Sequence, residues 1–512
     1  MLADRVAALA AEEARRLVHT AAGIIDHDHA QSDDHARSDD QGVLAAIERA
    51  AQQTAAQIGL AVVAGVVDWA GTHASARTSC PHPDHADPGR AARLVARRTK
   101  TVRTLLGTME VRRGYYHCQA CKRGFAPLDD RLGIVGTSLS PGLARAAALA
   151  GAEMPYATSF AFIATVTGLD LASTSTLART TRAQGGRARV LIAAGHAAAG
   201  PGPVPAAYTG GPDRCYIVLD GTGAPMLPSE CADRPGKDPD INGGKAGTRE
   251  VKIGCLFTQT ETDPDTGDPV QDPGSATYIS TFEPATAFGD QVKAEYWRRG
   301  FDQIRQPIVL GDGASWIWGI AERHFPQATQ ILDYYHAREH LADLSKLLTP
   351  VLEDPAGFEQ ALADQLDLGH TDQIATAVDV LNLDQAAPEL AKPAATEVGY
   401  FTGNHHRMQY ADFRANGYYI GSGHVESACN TIVKQRAKRA GMHWTIHGLD
   451  PILAILNRPG FRGGHDLPRK GSCLHRRSTT KRPRIGRSGC MPTGSLLGMS
   501  PNDRPASRWA SC

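Results

Sequence analysis

The chain has 512 residues, enough for roughly two to four domains with sizeable cores, and its composition is that of a soluble globular protein. Its 54 Lys and Arg balance 54 Asp and Glu, so the formal net charge is zero and any hold on nucleic acid must come from local patches. No membrane span or signal peptide is expected: the best apolar run, Ile58–Trp69, falls short of a bilayer and contains Asp68, and acids stand among the first residues. The 10 cysteines are scattered, with Cys118 and Cys121 alone close together, which suits a reducing cytoplasm and a metal site better than disulfides.

Residues 1–75 read as a helical region with an acidic linker. Leu2–Val18 is an alanine-rich helix with Arg and Glu on its polar side. Asp26–Asp40, DHDHAQSDDHARSDD, is rich in Asp and His; it has no apolar anchor and is expected to be a disordered acidic linker, with metal binding as the alternative. Val43–Trp69 returns to helix, with apolar positions too dense for an exposed face. It is expected to pack with the first helix, within one chain or across a dimer.

Residues 76–135 carry the first chemistry. CQAC at Cys118–Cys121 has the spacing of a thiolate knuckle, and two ligands so placed can wrap one tetrahedral ion. The preceding MEVRRGYYHC reads as a strand feeding the knuckle, as in a zinc ribbon. Upstream, CPHPDH supplies Cys80 with His82 or His85, Pro83 standing where a second cysteine is usual. The expected zinc ligands are Cys80, His85, Cys118 and Cys121, with His82 as the alternative to His85. Between the pairs lies a basic stretch, Arg90, Arg93, Arg97, Arg98, Lys100 and Arg103, suited to phosphates or simply to solvent.

In residues 136–195, Phe160–Val166, a turn at Gly168 and Ser173–Gln184 resemble a helix-turn-helix. The second helix opens on Ser/Thr capping residues and carries Arg179 and Arg182, with Arg187 just beyond. Gly195–Pro212 reads as a linker.

Residues 210–340 change to strands. Tyr216–Leu219 runs straight into Asp220; Arg249–Phe257 and Ala276–Phe282 are second and third strands, with a Gly/Pro/Asp loop, Glu230–Gly247, between the first two. A helix, Ala285–Arg299, precedes the apolar run PIVL, which delivers Asp312 between two glycines. A helix over Ala314–Arg323, the run ATQIL and Asp333 follow, then a helix over Tyr334–Leu348. Three strands, helix, strand, helix, strand, helix is the ribonuclease-H-like order, with the first strand central. Residues 341–398 are helical and polar, too long for a loop, and read as an all-α insertion. The core resumes over residues 399–457, where His424–Arg439 is a helix carrying Glu426 in its first turn and Lys434, Arg436, Lys438 and Arg439 in its last. Residues 458–512 are rich in Arg, Lys, Gly and Pro and read as a disordered basic tail.

A carboxylate at the C-terminal end of a buried strand is where α/β sheets place ligands and metals. Asp220 and Asp312 end neighbouring strands in this arrangement, and Glu426 comes from a later helix. Three hard-oxygen ligands can hold two Mg²⁺ ions, with Mn²⁺ as substitute, about 3.5–4 Å apart. Arg407, Lys434, Arg436, Lys438 and Arg439 are the candidate phosphate contacts, each weighed against a solvated helix face. Trp316 and Trp318 read as core, with stacking on a displaced base as the alternative.

The ordered series YYHCQACKRGFAPLDDRLGI, LDGTGAPM, TREVKIGCLFT, VLGDGASWIWGIAERHFPQATQILDYYHAREHL and YFTGNHHRMQYADFRANGYYIGSGHVESACNTIVKQRAKRAGMHW resembles the ISKra-type family of bacterial insertion-sequence DDE transposases, related to the Mutator-like transposases. The resemblance covers roughly residues 80–444. It implies Asp220, Asp312 and Glu426 as a catalytic triad, and matches Asp333-Tyr-Tyr-His336 to a supporting signature in which His336 positions the scissile phosphate, orients a carboxylate or makes a structural hydrogen bond. It also implies Mg²⁺-dependent cleavage and transfer of DNA, partners in the element's terminal inverted repeats and target DNA, a homodimer or larger assembly, and a bacterial cytoplasmic location on the nucleoid. After Trp444 the family pattern expects further amphipathic helix, which is expected here to give way to the tail. A catalytically dead DNA-binding remnant and a structure-specific metal-dependent nuclease are the alternatives.

Overall fold

The computed structural model describes residues 2–30, 43–72, 75–82, 91–169, 171, 173–202, 212–236 and 244–457. His85, Arg90, the basic tail, most of the acidic stretch and parts of both expected loops lie outside them. Two long helices come first, α1 (Leu2–Ala30) and α2 (Val43–Thr72), packed on one another. Helix α1 overruns its expected end: Asp26–Ala30, read as linker, is helical, because the Ala-rich turns before it propagate helix into polar residues.

Strands β1 (Arg77–Ser79), β2 (Ala91–Thr104), β3 (Gly107–His117) and β4 (Gly124–Phe125) form an antiparallel sheet in that order. Val102, Met109 and Val111 form its buried patch, closed by Leu60, Ala64, Val67 and Ala70 of α2. Of the described helices, one stretch, Val43–Gly71, is long and apolar enough to cross a membrane. That corrects the expectation drawn from Ile58–Trp69: the helix extends upstream through alanines that lengthen the apolar window. Leu60, Ala64, Val67 and Ala70 of that helix pack on the β1–β4 sheet, while Leu44, Val63, Val66 and Trp69 are exposed.

After the short helix α3 (Pro127–Arg131) come α4 (Pro141–Glu153), α5 (Tyr156–Thr167) and α6 (Thr174–Ala197). Gly168 ends α5 in the left-handed conformation at φ 67°, and the Ser173 hydroxyl caps α6 by accepting from Thr176 N at 3.1 Å.

The central sheet holds β5 (Arg214–Pro225), β6 (Thr248–Gln259), β9 (Thr277–Thr281), β10 (Gln306–Gly311) and β11 (Thr329–Leu332). A small hairpin, β7 (Glu261–Thr262) with β8 (Pro269–Val270), interrupts that series. The order across the sheet is β11-β10-β5-β6-β9, so the first strand is central. Pairing is antiparallel from β5 to β6 to β9 and parallel from β5 to β10 to β11. Strands covered on both faces need unbroken apolar runs, which Tyr216–Leu219 and Ile308–Leu310 supply with essentially no exposure. Helices α7 (Ala285–Arg298) and α8 (Ser315–His324) connect β9 to β10 and β10 to β11, and α9 (Tyr334–Leu348) follows β11.

Helices α10 (Pro355–Asp367), α11 (Thr371–Asp379), α12 (Leu383–Ala386) and α13 (Pro388–Gly403) follow, then α14 (Tyr410–Ala415). The helix expected over His424–Arg439 is not continuous. It is α15 (Gly423–Ala428), a π-helical turn at Cys429–Lys434, and α16 (Gln435–Ala437). Nor does the chain lose helix after Trp444: α17 (Ile446–Leu456) follows it, buried from Leu449 onward apart from Asp450, because its apolar run is wedged between α6, α4 and the sheet edge at β9. A Cβ on Gly185 would lie 2.1 Å from the Pro451 carbonyl oxygen, so glycine is what lets α6 and α17 approach.

Candidate active site

Strand register sets the first feature. Leu219, Gly311 and Leu332 are aligned across β5, β10 and β11, and the next residue on each strand is an aspartate: Asp220, Asp312, Asp333. Three carboxylates thus stand in a row at the C-terminal edge of the parallel strands, each about 4.8 Å of sheet from the next.

Their surroundings differ. Asp333 is 2% exposed and fully engaged: Oδ1 caps α9 by accepting from Tyr335 N (2.7 Å) and His336 N (3.3 Å), and Oδ2 accepts from Ser422 N at 2.8 Å. Asp312 is held by one short local bond, from Ala314 N to Oδ1 at 3.0 Å. Its neighbour Gly313 sits at φ +100°, where other residues are strained, and a Cβ there would come within 3.0 Å of the Tyr400 ring. The Tyr400 hydroxyl in turn donates to the Asp312 carbonyl oxygen at 3.3 Å. Asp220 accepts from Gly221 N at 2.6 Å and from the Cys429 thiol at 3.0 Å. Glu426, in the first turn of α15, accepts from the Ser422 hydroxyl at 2.7 Å.

These residues line one cavity of about 200 Å³, walled by Leu219, Asp220, Asp312, Asp333, His336, Ser422 and Glu426. Burial pushes the Asp220 carboxyl above its ordinary range, the charges of Asp312 and Glu426 push the same way, and the Cys429 and Gly221 donors resist. Among the described residues, no lysine or arginine forms an ion pair with Asp220, Asp312 or Glu426. Among the described residues, the one group of His, Cys, Asp or Glu ligand atoms lying within 4.8 Å of one another is the thiol cluster described below, so the three carboxylates share a cavity without forming such a group. His336 presents its ring to the cavity while Nδ1 lies 3.2 Å from Glu339 Oε2.

The expected phosphate contacts divide. Arg407 is not available: it is 8% exposed, stacked on Trp318 at 4.3 Å, bonded to Gln330 and Asn404, and paired with Glu322. Arg436 is 1% exposed, donating to the Gly151 carbonyl at 3.1 Å between the Tyr156 and Trp444 rings. Both are corrections with one cause: helices pack against these faces, and an always-charged guanidinium buried there needs carbonyls and rings as partners. Lys434, Lys438 and Arg439 are exposed, and Lys438 Nζ reaches the Thr222 hydroxyl at 2.8 Å, two residues beyond Asp220. On α6, Arg179 is exposed and Arg182 half-buried. Trp318 is core, and Trp316 packs edge-on to Phe288.

Sequence reasoning passed over Ser422, Cys429 and Tyr400. Cys429 carried a readable signal, three residues after Glu426 and so on the same helical face; Ser422 and Tyr400 carried none.

A second cluster lies at the β1–β4 sheet. Cys80 follows β1, and Cys118 and Cys121 lie between β3 and β4; their sulfurs fall within 4.8 Å of one another, Cys80 and Cys121 at 3.8 Å. The knuckle turns through Lys122 at φ 58°, closed by Cys118 N donating to Arg123 O at 2.9 Å. The backbone N–H groups of Cys121 and Ala120 pull the Cys118 thiol below its ordinary range, favouring the thiolate a metal needs. Burial pushes the Cys80 thiol up. His82 stands edge-on to Phe125 with Nε2 buried and unbonded, outside the group of mutually close ligand atoms. The three thiols could hold a metal ion, with a fourth ligand still to be supplied. No family model matches the chain, and no curated protein matches it either.

Proposed function

We propose that the chain is a DNA transposase whose ribonuclease-H-like core cuts element-end DNA and joins it to a target by phosphoryl transfer. The observation that carries this is the convergence of Asp220, Asp312 and Glu426 on one small cavity at the C-terminal edge of a sheet ordered β11-β10-β5-β6-β9. When bound between the carboxylates, two Mg²⁺ or Mn²⁺ ions supply an activated water or 3′-hydroxyl and neutralise the departing oxygen. Asp220 and Asp312 would hold them from the sheet, and Glu426 from the helix. Ser422 fixes the Glu426 carboxylate through its hydroxyl, and Asp333 fixes Ser422. His336, on the cavity wall, is placed to donate to a phosphate oxygen. Lys434, Lys438 and Arg439 would track the DNA backbone.

The thiol cluster would hold a structural zinc in a ribbon-like module, and that module with the helix pair α5–α6 would bind the element's terminal repeats. A dimer or larger assembly follows from the need to hold two ends. A catalytically dead DNA-binding remnant, motivated by the basic tail beyond residue 457, is one rival; it would shift end DNA without ever cutting it. A structure-specific nuclease on the same core is the other. The test is Mg²⁺-dependent nicking of DNA flanking the coding region. Asp312→Asn and Glu426→Gln are expected to abolish nicking while retaining binding, and nicking by either at the unaltered rate rejects the assignment. Branched competitor DNA that suppresses end cleavage equally favours the nuclease.

A further inference from the structure

Beside the carboxylate cavity lies a larger cleft of about 810 Å³, within the usual span of ligand sites. It is walled by the start of α9, the turn of the β7–β8 hairpin and the segment leading into α15. Two chain segments are shared between the hollows. Asp333 and His336 face the cavity while Tyr334 and Tyr335 line the cleft; Ser422 and Glu426 face the cavity while Gly421, Gly423 and Ser427 line the cleft. Asp333 and Tyr335 are two residues apart, so at most about 7 Å of chain separates the two sites.

The cleft wall is aromatic. Tyr335 is 65% exposed, and its ring lies so close to Gly421 that a Cβ there would sit 2.8 Å from it. Tyr419 stands edge-on to His424 at 4.6 Å, and the Arg414 guanidinium lies 4.8 Å above the Tyr334 ring. The wall also carries Asp268, and Arg414 is paired with Asp367 at 3.3 Å, so the cleft offers rings, hydroxyls and one carboxylate rather than a free cation. Such a wall suits a planar heterocycle with polar edges, and stacking on its rings is indifferent to which base is present.

We propose that this cleft holds an unpaired nucleobase of the DNA strand whose phosphate lies at the carboxylates, stacked on Tyr335. The proposal rests on the strand-cutting reading and adds its substrate form: a strand locally out of the duplex at the site of reaction, with little preference for base.

The experiment uses the full chain, in EDTA so that no cutting occurs, and DNA from the flank of the coding region with 2-aminopurine beside the end nucleotide. Wild type and Asp312→Asn are expected to quench the probe equally. Tyr335→Phe should keep the quench. Tyr335→Ala, a change at an exposed ring, should abolish it and weaken binding roughly fivefold to a hundredfold. A quench unchanged in Tyr335→Ala, or an abasic site bound as tightly as the base, overturns the proposal. The two readings fail separately. A Tyr335-dependent quench on a chain that never nicks DNA in Mg²⁺ upholds the base site and sinks the transposase; nicking with a Tyr335-independent quench does the reverse.

Discussion

Ser422 ties Glu426 to the sheet: its hydroxyl donates to Glu426 Oε1 at 2.7 Å while its backbone N–H donates to Asp333 Oδ2 at 2.8 Å. The buried aspartate after β11 therefore sets the position of a carboxylate ninety-odd residues further along. Ser422→Ala should lower the nicking rate about tenfold with little change in melting temperature, since one exposed carboxylate loses a single donor. Asp333→Ala should instead destabilise by about 2 kcal/mol, from a lost helix cap and an unpaired buried N–H. Denaturant titration beside single-turnover nicking separates the two.

Asp220 is a carboxylate held against its preference. Its folded pKa is raised, so its ionisation opposes folding, a penalty absent at low pH that grows as pH rises past the unfolded value. Asp220→Asn should therefore melt at or above the wild-type temperature in EDTA at neutral pH. Adding Mg²⁺ or Mn²⁺ should raise the wild-type melting temperature and leave the variant unmoved.

Glu295 shows the opposite sign. Burial works against its charge, but Arg298 and His196 bond to it and hold it down to about 2. That stabilisation is complete above the unfolded carboxyl range near 4.5 and is lost as pH falls from there toward 2. The stability gap between wild type and Glu295→Gln, on the order of 2 kcal/mol at pH 6, should narrow toward pH 3.

The thiol cluster is expected to carry one zinc per chain. Cys118→Ser should lose it. His85→Ala should lose tight binding while His82→Ala keeps it, because Cys80 and His85 have four residues between them and His82 has its ring against Phe125. Zinc content of the purified variants by elemental analysis decides, and the reverse pattern would move the fourth ligand to His82.

Arg407→Ala should unfold the protein at lower denaturant without changing the salt dependence of DNA binding. Lys434→Ala should leave stability alone and reduce the salt slope by about one unit. Equal salt slopes in both variants would deny Lys434 a phosphate.

The apolar runs before Asp220 and Asp312 told where the parallel strands lie, since only strands buried on both faces need four apolar residues in succession. The Glu426 helix was readable for its polar ends but not its π-helical turn, which breaks the 3.6-residue period under the packing of Cys429 and Ile432. Arg407 and Arg436 misled because a basic residue on a helix carries no mark of which face a neighbour will cover.

By itself the sequence determined the five strands of the central sheet, the candidate carboxylates and the knuckle cysteines, because local periodicity and ligand type are written residue by residue; the 14-residue strand β2, whose alternation is masked by its basic residues, was not legible. What only the tertiary structure decided was register and burial: that Leu219, Gly311 and Leu332 align so that three aspartates stand abreast, that one of them is spent on capping and bracing, and which cations stay free. Those depend on which distant segments share a layer, and pairing over hundreds of residues is set by how the whole core packs.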